Sequence, residues 1–105
     1  MAESRKYNVI VSDRAKQMLG SHIRFLAQVS KTAAQKEKKL LIDALRSLSA
    51  MPQRFPFFED ESVPRNKYHK LFVEKQYLIL FQIKDNTVEV DYILDCRQDY
   101  GWLIR

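Results

Sequence analysis

The sequence predicts one α+β domain of order β-α-α-β-β-β, in which an N-terminal strand and an α-helical hairpin pack on an antiparallel meander sheet. Three observations predict it. Apolar residues recur at three- and four-residue spacing through the first half of the chain, then at a period of two from Tyr68 onward. The helical segments are separated by only two or three residues, as are the strands, and connections that short join antiparallel neighbours. The chain has 105 residues, enough for a single core spanning 1-105 with no second domain.

Tyr7-Asn8-Val9-Ile10-Val11 is a short β-branched run, and Ser12-Asp13 after it are good helix starters. Ala15, Met18, Leu19, His22, Phe25, Leu26 and Val29 then form the inward stripe of an amphipathic helix, with Arg14, Lys16, Gln17, Arg24 and Gln28 outside it. After a break at Ser30-Lys31, Thr32 and Gln35 have the spacing of a capping box. The second helix turns Ala34, Leu41, Ala44, Leu45 and Leu48 inward and stops at Pro52, which has no N–H and disfavours helical geometry at Met51.

The connection from Gln53 to Asn66 holds Pro56, Pro64 and the acids Glu59-Asp60-Glu61, while Phe55, Phe57 and Phe58 predict that it lies against the core. Tyr68–Val73, Tyr77–Ile83 and Thr87–Leu94 read as three strands joined by Glu74-Lys75-Gln76 and Lys84-Asp85-Asn86. The middle strand is apolar on both faces, as a central strand covered by helices is. The last alternates Val88, Val90 and Tyr92 against Glu89 and Asp91.

Composition excludes several functions. With 46% hydrophobic residues and few Gly or Pro, this is not a disordered or repetitive chain. No apolar run approaches the ~20 residues of a membrane span, and no signal-peptide core precedes Tyr7, so a cytoplasmic protein that does not engage membranes is expected. Cys96 is the single cysteine and cannot form an internal disulfide; it reads as a buried or incidental thiol rather than a nucleophile. His22 and His69 lack neighbours at ligand spacing, so no metal is expected, and two glycines cannot build a phosphate-binding loop; no cofactor is expected either. His22, inside an apolar stripe, reads as a packing residue.

The net charge is +5, and it is unevenly spread. Met1 to Pro52 carries ten Lys/Arg against four acids, whereas the remainder carries eight against nine. Either a solvated helix face or a surface for an anionic partner results. The remaining chemistry lies at strand ends: Arg65, Lys67, His69 and Lys70 around the first meander strand, and Arg97, Asp99 and Tyr100 after the last. Cleavage of RNA by its own 2'-hydroxyl needs a base, an acid and a cation over the phosphate, and these residue types are present; a solvated sheet edge has the same composition.

The segments Asn66-Lys67-Tyr68-His69-Lys70-Leu71-Phe72-Val73, Tyr77–Ile83 and Val88–Asp99, with the opening Tyr7–Ala15 and the helix end Leu45–Pro52, resemble the RelE/ParE superfamily of bacterial toxins over nearly the whole chain. The resemblance implies the toxin of a type II toxin–antitoxin system, of the plasmid-stabilisation type, bound by a cognate antitoxin. RelE-like members cut mRNA on the ribosome; ParE-like members inhibit DNA gyrase without nuclease residues. Carried over by position, Lys67 and Lys70 fall where RelE-like enzymes place lysines, and Arg97 near the basic residues after their last strand; with His69 as a replacement acid or base, the expected catalytic set of a metal-independent mRNA endoribonuclease is His69, Lys70, Arg97 and Tyr100, with Lys67 and the neighbouring Arg65 binding substrate. The family's arginine after the aromatic that opens the third sheet strand is Leu78 here, and its C-terminal Tyr or His-Tyr pair is matched only by Tyr100. The expectation is therefore a ribosome-dependent endoribonuclease, with a non-enzymatic gyrase inhibitor as the alternative.

Overall fold

The computed structural model describes residues 6–61 and 63–96. Strand β1 (Asn8–Val11) leads through Ser12 into helix α1 (Asp13–Ala27), followed by helix α2 (Lys31–Ser47), a 3-10 turn at Pro52–Arg54, and strands β2 (His69–Val73), β3 (Tyr77–Lys84) and β4 (Thr87–Asp95). The sheet order is β1-β4-β3-β2. β2, β3 and β4 form the expected meander, and β1 joins its far edge parallel to β4, Val9 opposite Val88 and Val11 opposite Val90.

Side-chain caps define both helix starts. Ser12 Oγ accepts from Ala15 N–H at 3.0 Å, with Asp13 favourably placed in the positive first turn. At the second helix Ser30, not Thr32, is the cap: its Oγ accepts from Ala33 N–H at 3.1 Å. Ser30 lies in extended backbone with φ -156, as a cap must, while Thr32 is already one residue inside the helix. The helix also ends before the proline. Leu48 closes it, and Pro52 opens the 3-10 turn after Met51, which sits in the left-handed region at φ 47.

One face of the sheet carries the main core. Ala15, Leu41, Leu45 and Leu48 from the hairpin pack on Val73, Tyr77, Ile79, Phe81, Val88, Val90 and Ile93. The opposite face at β3 is covered mainly by the connection, with Met18 of α1 beside it: Phe58, Tyr68 and Val63 pack with Leu78, Leu80 and Leu94. Phe55 reaches the hairpin side, Phe58 the other side, and Phe57 remains 39% exposed. The connection thus wraps the β2 edge, with Lys70 N–H donating to Pro56 O and Phe58 N–H to Tyr68 O. Residues Tyr77–Phe81 are buried in succession because both faces are covered.

A bulge breaks the alternation of β4. Leu80 pairs with Tyr92 but Phe81 with Val90, so Asp91 is an extra residue. Tyr92 consequently sits with Tyr68 on the connection side, away from Val88 and Val90, in contrast to the simple alternation expected. The last turn of α1 also departs from expectation. His22 lies beside Ile93 near the end of β4, and beyond it Phe25 in the last turn and Val29 just after the helix are 59% and 79% exposed.

Candidate functional site

The strand-end residues divide between two faces and a loop. His69 is half-buried at the start of β2, its ring stacked between Phe57 (centroids 4.2 Å apart) and Phe81 (5.3 Å). Its Nδ1 lies 2.7 Å from Phe55 O. A carbonyl only accepts, so Nδ1 carries a proton, leaving Nε2 as the acceptor of the neutral ring. Lys70, the next residue in an extended strand, points to the opposite face, opposite Leu80. The two therefore do not converge on one reacting atom.

Lys67 is exposed, its Nζ 5.4 Å above the Tyr68 ring. Arg65 is exposed in the connection and borders a depression with Glu59, Asp60 and Glu61, acids that oppose the approach of a phosphate. Arg97 and Tyr100 lie outside the described residues. At the position of the superfamily's arginine, Leu78 is fully buried in the apolar cluster beneath Phe58 and Tyr68. Its surroundings are built for hydrocarbon.

Two arrangements were not visible in the sequence. The first is a polar network on the connection side of the sheet. Gln82 Nε2 donates to Asp91 Oδ2 at 2.7 Å, and the Tyr68 hydroxyl donates to the same carboxylate. Burial, reinforced by the Asp91 charge and this hydrogen bond, pushes Tyr68 up to about 12. At neutral pH Tyr68 is thus a donor that positions Asp91, not a proton shuttle. Arg14 lies over Tyr92 at 4.8 Å, beside the Tyr68–Tyr92 edge-to-face pair. The β4 bulge creates this cluster by turning Asp91 and Tyr92 to one side, and a single-residue bulge has no reliable signature in the residue pattern.

The second is a cavity of about 390 Å³ under the tip of the hairpin, lined by Ser21, His22, Phe25, Leu26, Ala33, Glu37, Gln76, Tyr77 and Asp95. His22 packs as expected: it is 8% exposed, its Nε2 donates to Ile93 O at 2.9 Å, and its ring is 5.5 Å from that of Tyr77. Glu37 was visible only as one charge on a polar helix. The signal available for the cavity was the i, i+4 pair Ala33 and Glu37 facing the stripe of the first helix.

Cys96 is half-buried against the Phe58 cluster, its N–H donating to Gln76 O. Among the described residues no group of three or more His, Cys, Asp or Glu could hold a metal ion, and no helix is long and apolar enough to cross a membrane. The described chemistry-bearing groups are thus separate: a stacked histidine, a carboxylate held by two donors, and a cavity under the hairpin.

Comparison with known proteins agrees with this architecture. A solved structure described as a chromosomal ParDE TA system from P. aeruginosa superposes with a TM-score of 0.71 at 15% identity, covering 88% of this chain and 98% of that one; at this identity the likeness is one of fold. No curated protein matches the sequence significantly. The family model for the ParE toxin of the type II toxin–antitoxin system parDE matches residues 9–100. That match spans both helices and all but the first residue of the four-stranded sheet, so the chain belongs to the ParE toxin family.

Proposed function

We propose that the protein is a toxin that inhibits DNA gyrase by binding it in the cytoplasm, and that a cognate antitoxin relieves the inhibition. The observation that carries this reading is the ParE family match over residues 9–100. A type II toxin implies an antitoxin partner, whereas gyrase as target follows from the ParE-like side of the superfamily. The geometry supports the same choice. His69 is clamped between two aromatic rings with Nδ1 engaged, Lys70 faces the other way, and Leu78 is sealed under Phe58. A binding inhibitor needs none of these as catalysts.

The outer face of the hairpin offers a surface for acidic partners. Lys16, Arg24, Lys31, Lys36, Lys38, Lys39 and Arg46 are all exposed. An acidic antitoxin segment would meet charge complementarity there, which accelerates encounter more than it deepens affinity. Of these bases, Lys39 pairs with Asp43 at 3.2 Å, an exposed i,i+4 contact that leaves its charge available to a partner.

The test is pulse-labelling of cells after induction of the toxin alone, together with gyrase supercoiling by purified components. Thymidine incorporation falls before methionine incorporation, and supercoiling stops on addition of the protein. If methionine incorporation falls first and supercoiling continues, the gyrase reading fails. The endoribonuclease set His69, Lys70, Arg97 and Tyr100, with Lys67 and Arg65, is then the one to mutate.

A further inference from the structure

The cavity under the hairpin tip has no part in the reading above. Its walls come from four places: Ser21, His22, Phe25 and Leu26 of α1, Ala33 and Glu37 of α2, Gln76 and Tyr77 where β3 begins, and Asp95 where β4 ends. The volume, about 390 Å³, is that of a small-ligand site.

Its polar groups are weighted toward negative charge in a chain of net charge +5. Asp95 is 3% exposed and His22 8%. Glu37 Oε2 is enclosed, and among the described residues no donor reaches it. A buried acceptor without a donor costs free energy that a matching donor recovers, and a cationic donor recovers most. Phe25, Leu26 and Ala33 supply the apolar part of the lining, Phe25 being 59% exposed, beside the exposed Ser21 and the half-buried Gln76. Apolar side chains beside enclosed carboxylate oxygen match a cation carried on a hydrocarbon stem, because the stem buries against Phe25 and Leu26 while the head meets the carboxylate.

We propose that this cavity is a binding site for a guanidinium or alkylammonium group on an aliphatic stem, with Glu37 Oε2 as its principal acceptor and Asp95 as the second negative charge. Two sources carry that chemistry: a free small alkylguanidine or polyamine, and an arginine or lysine side chain of a bound polypeptide. The planar fork of a guanidinium is the better match, since it presents several donors at once to acceptors on different walls.

The experiment titrates the full chain with butylguanidine, with butylurea of the same shape but no charge, and with Nα-acetyl-arginine amide, by calorimetry and by the NMR signals of the Tyr77 and His22 rings. Saturable binding of butylguanidine, with the two rings shifting together and butylurea about ten-fold or more weaker, supports the site. Tighter binding of the arginine amide than of butylguanidine assigns the site to a polypeptide, and the reverse order assigns it to a free small cation; either supports it. Equal binding of butylguanidine and butylurea, or no ring shift at saturation, overturns it. Glu37→Gln, which keeps the side-chain shape, weakens butylguanidine about ten-fold with unchanged circular dichroism. Unchanged affinity in this variant also overturns the proposal. Because the readout involves neither gyrase nor toxicity, failure here leaves the proposed function standing, and the converse holds.

Discussion

Tyr68 shows how a single residue ties the sheet to the chain that covers it. It is 7% exposed, it meets Tyr92 edge to face, and its hydroxyl is held by Asp91. Its pKa is raised from 10.0 to about 12, first by burial and then by the neighbouring carboxylate. The folded state therefore keeps a proton that the unfolded state loses first, so the stability this group contributes is complete below pH 10 and is lost as pH rises from 10 toward 12. Denaturation midpoints measured across that range should fall in the wild type and fall less in Tyr68→Phe; equal slopes would show that Tyr68 titrates normally. His69 is the complementary case. Its residue type suggested acid–base work, yet its surroundings use it as an aromatic plate with one hydrogen bond, and no sequence pattern separates those two uses.

At the scale of elements, the helical hairpin depends on its caps and the sheet on its turns. Ser30→Ala should lower stability by about 1 kcal/mol in a denaturant titration, while Thr32→Ala should change it by a few tenths at most, because only Ser30 Oγ satisfies an orphan N–H. Comparable losses would restore Thr32 as the cap. The β2–β3 turn places both Glu74 and Lys75 at positive φ (55 and 60), the geometry of a tight hairpin whose twist matches its strands. The hairpin therefore stands on its pairing from Val73 opposite Tyr77 to His69 opposite Phe81, rather than on preferred turn residues. Both helices and all three meander strands were legible, since amphipathic spacing and period-two runs report burial directly. The end of α2, the bulge at Asp91 and the exposure of Phe25 and Val29 were not. Each depends on where a neighbouring element stops.

For the molecule as a whole, the covering of both sheet faces decides which strand residues reach solvent. Leu78 stands where RelE-like relatives are expected to carry an arginine, and here that position lies under Phe58 with no exposure. Leu78→Arg should therefore cost about 3 kcal/mol or more by burying an unpaired charge, read as a lower thermal midpoint, and should confer no ribosome-dependent mRNA cleavage. A stable variant that cleaves mRNA would show that the connection opens readily and that the site beneath it is a nuclease site.

By itself, the sequence determined the α+β class, the element order β-α-α-β-β-β and the RelE/ParE resemblance, because hydrophobic period and connection length are local properties that burial imposes on every position. It placed His69 and Leu78 in their strands without showing what surrounds them. Those surroundings are contacts between residues remote in the chain: Phe57 and Phe81 about His69, Phe58 over Leu78, and, at the far edge of the sheet, the parallel docking of β1 on β4. It also left hidden the cavity that joins Glu37 to Asp95. Only the tertiary structure decided these, because the face a side chain occupies follows from strand register and from which remote segments pack on it, and one inserted residue in β4 is enough to exchange one face for the other.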